Sequence, residues 1–120
     1  MSVRCFIDTN IFLYAHDVSS PEKRNIARKL IIEEYGSGNA SVSTQVLSEF
    51  FHVFVGKFDR PYVDAVKEIH LMSRCRVIEQ TLSLLLTGTS LFNRYSLSFW
   101  DAMIIAAALE GASDVLYTED

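Results

Sequence analysis

Four acidic residues of this chain stand directly beside apolar segments. They are Asp8 within FIDTNIFLYA, Glu49 before FF, Asp101 after FW and Asp120 at the end of DVLYTED. If these carboxylates converge, any two of them about 4 Å apart repel by about 4 kcal/mol at an effective dielectric constant of 20. A convergent set must therefore take up protons or bind a cation. Oxygen ligands without neighbouring histidine or cysteine suit Mg²⁺ or Mn²⁺ and argue against zinc.

Phosphodiester hydrolysis is the leading class of reaction for such a set. A divalent ion held by carboxylates activates water and neutralises charge that develops on a phosphoryl group. The sequence has no G-x-x-x-x-G-K-[ST] or G-x-G-x-x-G motif for nucleotide phosphates, and its cysteines lack metal-ligand spacing. Glu49 and His52 form an E-x-x-H pair, but neither His16 nor His70 supplies the second pair that a di-iron bundle needs.

Each acid also has a purely structural interpretation, and taken singly this interpretation is the stronger one. Asp8 stands where an N-cap of the following helix is expected. Asp101 follows Ser98 at the spacing of a capping box. Glu49 can reach water from a helix edge, and Asp120 can be a solvated terminus.

The elements that must position these acids alternate between strand and helix. The patterns predict strands at 3–7, 40–43, 75–78 and 115–117. They predict helices from Ile11 to Ala15, at 21–35, over the apolar face of 46–54 up to Gly56, from Pro61 to Met72, at 81–95 and at 99–110. Gly88 lies inside the fifth of these helices, where it costs about 1 kcal/mol relative to alanine.

This alternation predicts an α/β fold, a three-layer α/β/α sandwich with a central, mainly parallel sheet. Parallel strands need long crossovers, which helices supply on both faces of the sheet. Ligands of such sheets bind beyond the carboxyl ends of the strands. Asp8 and Asp120 both follow predicted strands and are therefore expected at one edge.

Four phenylalanines could be taken for a platform that stacks nucleobases. They are Phe50, Phe51, Phe54 and Phe58. Their helical spacing instead predicts that they pack in the core.

Composition and charge indicate one globular domain, 1–120. Hydrophobic residues make up 49% of the 120 residues and charged residues 22%. The net charge of −4 gives no overall attraction to nucleic acid or to an anionic membrane. Cys5 and Cys75 lie in apolar runs and are expected to be buried, reduced thiols, which favours the cytoplasm. No export or membrane-spanning segment is predicted.

Taken together, these segments resemble the PIN-domain ribonucleases, and most closely the VapC-type toxins of toxin–antitoxin pairs. FIDTNIFLYA resembles the first motif of that family, STQVLSEFF the second, LSFWDAMIIAAAL the third and DVLYTED the fourth. The order and spacing of the motifs agree from Val3 to Asp120.

The resemblance implies a metal-dependent endoribonuclease. Asp8 and Asp101 would be the principal ligands of Mg²⁺ or Mn²⁺. Glu49 and Asp120 would complete the cluster, holding a second ion or orienting the attacking water.

The resemblance also implies supporting residues and partners. Asn10 and Thr118 match positions that form hydrogen bonds within the site. Family members usually cleave structured RNA such as tRNA or ribosomal RNA, form homodimers and are silenced by a cognate antitoxin that inserts into the acidic pocket.

One departure from the family concerns the C-terminus. Family chains usually continue beyond the fourth acid through a short helix and an edge strand, whereas this sequence stops at Asp120. We therefore expect a PIN-like fold without the usual C-terminal extension, and reduced activity. The alternative function is a catalytically weak PIN-fold module that binds an antitoxin or a partner subunit. A receiver or phosphatase-like domain ranks last, because Thr9 and Asn10 follow Asp8 without the D-x-D spacing of such phosphatases.

Overall fold

The computed structural model describes residues 3–118, which form four strands and six helices. The strands are β1 (Cys5–Ile7), β2 (Ala40–Ser43), β3 (Arg76–Ile78) and β4 (Val115–Tyr117). The helices are α1 (Thr9–Tyr14), α2 (Pro21–Ser37), α3 (Thr44–Val55), α4 (Tyr62–Met72), α5 (Leu82–Tyr95) and α6 (Phe99–Glu110).

Every predicted element is present, and the differences lie at element ends. The first strand begins at Cys5 instead of Val3, and the third at Arg76 instead of Cys75. The second helix continues past 35 to Ser37, because the chain leaves the helix only at Gly38. Gly38 has a φ of +78°, a left-handed conformation that glycine adopts without a steric penalty.

The four strands form one parallel sheet in the order β3-β2-β1-β4. The chain moves from β1 through β2 to β3 in one direction and then returns across the sheet to β4. Because crossovers between parallel strands are right-handed, helices α1 to α4 cover one face, and α5 and α6 cover the other. The predicted three-layer sandwich is confirmed. The change of direction lies between β1 and β4, where such sheets bind ligands.

The core lies between the sheet and the large apolar side chains of α3. Phe50 and Phe54 are fully buried and stack with their ring centroids 4.9 Å apart. Phe51 and Phe58 are half-buried and pack against the same cluster. The prediction that these four phenylalanines pack in the core is confirmed.

Helices α5 and α6 pack closely where Gly88 meets Met103. A Cβ atom added to Gly88 would overlap Sδ of Met103, whose side chain is buried. The glycine that local propensity disfavours is therefore explained by tertiary packing. Alanines 102, 106, 107 and 108 of α6 are buried as well, which lets this helix approach its neighbours and fixes the position of its first turn.

Both cysteines are free thiols. Cys5 is buried, as predicted, whereas Cys75 is only half-buried. Burial, together with a hydrogen bond to Glu34, raises the pKa of Cys5 to about 12. Among residues 3–118, no helix is long and apolar enough to span a bilayer.

Candidate active site

Asp8 and Thr118 meet at the switch point of the sheet, each directly after its strand. Ile7 pairs with Tyr117 in the β1–β4 register, and the Asp8 backbone N–H extends this ladder to the Tyr117 carbonyl at 2.9 Å. The Thr118 hydroxyl then donates to Asp8 Oδ2 at 2.8 Å. Two neighbouring strands therefore fix the orientation of the Asp8 carboxylate.

The Asp8 carboxylate also caps α1. Its Oδ1 accepts a hydrogen bond from the Thr9 backbone N–H at 2.7 Å. The capping interpretation is thus correct in geometry, but it does not exclude a second role. Each carboxylate oxygen accepts about two hydrogen bonds or metal contacts, so lone pairs remain on both.

Glu49 is joined to the end of β1 through Thr9. The Thr9 side chain is buried, and its hydroxyl donates to Glu49 Oε1 at 2.9 Å. Glu49 itself is half-buried at the edge of the apolar face of α3, as the sequence predicted. Ser43 caps α3 by accepting a hydrogen bond from the Val46 N–H at 3.2 Å, which places the Glu49 turn just above the carboxyl end of β2.

Asp101 lies in the first turn of α6, where the helix dipole favours a negative charge. Ser98 accepts a hydrogen bond from the Asp101 backbone N–H at 3.1 Å and so caps the helix. The reverse bond of a capping box, from the Asp101 carboxylate to a backbone N–H, does not occur within residues 3–118. The exposed Asp101 carboxylate accepts no hydrogen bond from that part of the chain.

Asp8, Glu49 and Asp101 line one cavity of about 200 Å³. Asn10 also contributes to its wall. No lysine, arginine or histidine belongs to the cavity lining in the described part of the chain. The acids approach one another from α1, α3 and α6, yet no group of three metal-ligating side chains among residues 3–118 is close enough to form a ready-made metal site. Asp120, the fourth predicted acid, lies outside the described residues.

A larger cavity of about 580 Å³ lies away from these acids. It opens between α1, α2 and α4, and most of its lining is apolar, as at Phe12, Ile31 and Met72. At its edge His16 faces Glu68, with the histidine Nε2 3.5 Å from a carboxylate oxygen. By size alone this cavity would be the candidate active site, but the acidic side chains that could support hydrolysis line the smaller cavity.

The family model for the PIN domain matches residues 5–120. This chain belongs to the PIN-domain family. No curated protein sequence matches it significantly.

Two solved structures support the fold of this PIN domain. One is the crystal structure of Mycobacterium tuberculosis VapC20, described as a sarcin-ricin loop cleaving toxin. It aligns with a TM-score of 0.76 and 20% identity over 97% of this chain and 89% of VapC20. The other is a toxin–antitoxin complex from Klebsiella pneumoniae, which aligns with a TM-score of 0.71 and 17% identity over 96% of this chain and 86% of its own.

The cavity of the PIN domain fits a hard divalent cation by the chemistry of its donors. Asp8, Glu49 and Asp101 offer only carboxylate oxygens, and the described lining holds no cation that would neutralise them. Mg²⁺ is commonly bound through one or two carboxylates and keeps several of its own waters. Three acids that share a cavity without touching suit such a partly hydrated ion.

Sequence reasoning missed three residues of this PIN domain site. Thr9 carries the hydroxyl that contacts Glu49, and its position directly after Asp8 was the available signal. Gln45 is buried in the cavity wall and donates to the Trp100 carbonyl at 3.5 Å. Trp100 precedes Asp101 and is the only tryptophan of the chain.

Proposed function

We propose that this PIN domain is a Mg²⁺- or Mn²⁺-dependent endoribonuclease that acts in the cytoplasm as the toxin of a type II toxin–antitoxin pair. The observation that carries the proposal is that Asp8, at the N-cap of α1, Glu49 of α3 and Asp101 of α6 line one cavity at the switch point of a parallel sheet. The two free cysteines agree with a reducing compartment.

Asp8 and Asp101 are the proposed metal ligands. A bound divalent ion would lower the pKa of a coordinated water and neutralise charge on the scissile phosphate. The role of Thr118 is to hold the Asp8 carboxylate in one orientation through the 2.8 Å hydrogen bond. Thr9 does the same for Glu49, which lies in the same cavity and is proposed to hold a second ion or to orient the attacking water. Asp120 is proposed as the fourth acid, and Asn10 as a hydrogen-bonding residue of the cavity wall.

The proposed substrate is a structured RNA of the tRNA or ribosomal RNA type. The similarity to VapC20, a sarcin-ricin loop cleaving toxin, supports this choice. The proposed protein partner is a cognate antitoxin, and the likeness to a chain of a toxin–antitoxin complex supports it.

A homodimer is proposed on the properties of α5. Leu82 and Leu86 are 71% and 59% exposed on one face of this helix, and Arg94 is its only charged residue. An uncharged face is compatible with a second copy of itself, because no like charges oppose one another across a two-fold axis. We expect sedimentation at about twice the monomer mass, and monomers for Leu86→Lys. A monomeric parent chain would contradict the dimer without affecting the proposed nuclease activity.

Cleavage of RNA by metal-stripped and metal-loaded protein tests the proposal. We expect cleavage of tRNA and ribosomal RNA with Mg²⁺ or Mn²⁺, none in EDTA, and none by Asp8→Asn or Asp101→Asn. Glu110→Gln is the matched control, since this acid lies at the other end of α6, and it should cleave like the parent. Metal-supported cleavage that persists unchanged in both aspartate variants would refute the assignment.

The alternative is a PIN-fold module that binds a partner and cleaves RNA weakly or not at all. It is favoured by the lack of a ready-made group of three ligands among residues 3–118. Robust metal-dependent turnover by the 120-residue chain would eliminate it. Antitoxin binding without turnover would favour it.

A further inference from the structure

A second cavity adjoins the one that holds the acids. It has a volume of about 490 Å³, and its lining includes Gln45, Glu49, Val53 and Trp100, which also line the acid cavity. The two cavities thus meet along a shared wall formed by α3 and the start of α6.

Trp100 presents a large aromatic surface at this wall. Its side chain is 60% exposed, although the four phenylalanines of α3 and its C-terminal loop are all wholly or half buried. Phe99 packs edge-on against the indole with ring centroids 5.0 Å apart, and Gln45 donates to the Trp100 carbonyl at 3.5 Å. The Trp100 ring thus contacts Phe99, its backbone is held by Gln45, and much of its side-chain surface stays accessible to a ligand.

Besides Glu49, Val53 and Trp100, the side chains that line this second cavity are polar, although most of its accessible surface is apolar. Thr44, Ser48 and Gln80 supply hydroxyl and amide groups, and His52 lies at the same wall. The Thr44 hydroxyl accepts a hydrogen bond from the Gln80 backbone N–H at 3.1 Å, which ties the loop after β3 to the first turn of α3. No lysine or arginine belongs to the lining within residues 3–118. Such a surface suits a neutral, planar ligand with donors and acceptors on its edge, and it does not suit a phosphate.

We propose that this second cavity is the subsite for one unpaired nucleotide next to the scissile phosphate, and that Trp100 stacks on its base. The inference rests on the proposed ribonuclease function and adds the form of the RNA that the site accepts. Unpaired bases are the part of an RNA that proteins stack on aromatic side chains and read by hydrogen bonds to base edges. A paired and stacked base exposes neither face, so this site selects a loop or a bulge.

Intrinsic fluorescence gives a direct test, because Trp100 is the sole tryptophan and reports on itself. Ca²⁺ takes the same oxygen ligands as Mg²⁺ and can replace it in a titration with a single-stranded RNA 12-mer. We expect saturable quenching of the indole by the single strand and little change with the same sequence as a duplex. The proposal would be overturned if the anisotropy of a labelled 12-mer shows that it binds while the Trp100 fluorescence stays unchanged. If hexa-arginine quenches the fluorescence and RNA does not, the cavity would be assigned to a protein partner. This result would also overturn the proposal.

Variants of Trp100 provide the second arm. Trp100→Ala should weaken binding of the 12-mer by about 5- to 150-fold, the range for loss of one base–aromatic stack, and Trp100→Phe by less. Tyr62→Ala is the matched control, since Tyr62 is 68% exposed on α4 and lines neither cavity. In cleavage assays, the alanine change at Trp100 should raise KM more than it lowers kcat.

An abasic scan of the 12-mer separates stacking from an indirect effect on the fold. Removing the base at one position of the 12-mer should weaken binding to the parent protein about as much as Trp100→Ala does. The same removal should not weaken binding to the Trp100→Ala variant any further. The subsite proposal would be overturned if every abasic position weakened binding equally, or if KM were unchanged in Trp100→Ala. Neither result would contradict the proposed ribonuclease function. If RNA is neither bound nor cleaved by the parent chain with Mn²⁺, the ribonuclease itself fails.

Discussion

Replacing Thr9 with valine removes the hydroxyl that joins Glu49 to the end of β1, and it leaves the side-chain volume nearly unchanged. The lost hydrogen bond is 2.9 Å long and its acceptor is a carboxylate. Groups that orient metal ligands typically account for about 10- to 100-fold in affinity or activity, and we expect the loss of this hydrogen bond to fall in that range.

Stability should change much less than activity in Thr9→Val. Glu49 is half-buried and can be hydrated when the hydroxyl is lost, while valine suits the buried position of Thr9. We therefore expect the free energy of unfolding to stay within about 1 kcal/mol of the parent.

The assay for Thr9→Val is RNA cleavage as a function of Mn²⁺ concentration, with urea unfolding in parallel. We expect the variant to need more metal, to cleave more slowly, or both, with a combined loss of about 10- to 100-fold. Thr9→Ser keeps the hydroxyl and should recover most of the activity. A valine variant that cleaves within threefold of the parent at every Mn²⁺ concentration would refute the positioning role of Thr9.

Three further predictions concern the scaffold. Gly88→Ala should destabilise the domain by about 1–3 kcal/mol, as measured by urea unfolding, despite the better helix propensity of alanine. The same substitution should destabilise a Met103→Ala variant by less. Equal destabilisation of both proteins would contradict the close packing of Gly88 and Met103. Burial holds the pKa of His16 below its usual 6.5, so below about pH 6.5 the unfolded chain binds a proton that the folded chain does not. The free energy of unfolding should fall as the pH drops through that range, and the fall should be smaller in His16→Gln. In a Cys75→Ser variant, Cys5, whose pKa is about 12, should react with a thiol reagent at pH 8 only after denaturant is added. Rapid labelling of this variant in its native state would contradict the burial of Cys5.

The sequence predicted the fold well because its signals are local. Pro21 at a helix start, Gly38 at a helix end and short apolar runs each depend on a few neighbouring residues. Alternation of strands and helices then leaves few topologies open, and the parallel sheet followed from it. The order of strands was not predictable in this way, yet it creates the switch point between β1 and β4.

The site was predictable only in part, because its contacts join distant segments. The four motifs identified Asp8, Glu49 and Asp101 as candidates, and the structure brings these three to one cavity. No local pattern indicates that Thr9 contacts a residue forty positions later, or that Thr118 contacts Asp8 across the sheet. Asp120 lies outside the described residues, and its role in the site stays a prediction.

Direct binding of Mn²⁺, followed by the electron paramagnetic resonance signal of the free ion, tests the central claim without relying on any RNA. We predict saturable binding to the metal-stripped parent chain. We also predict affinities at least about tenfold weaker for Asp8→Asn and Asp101→Asn, and parent-like binding for Glu110→Gln. Equal affinities in all four proteins would contradict the assignment of this carboxylate-lined cavity as the metal site.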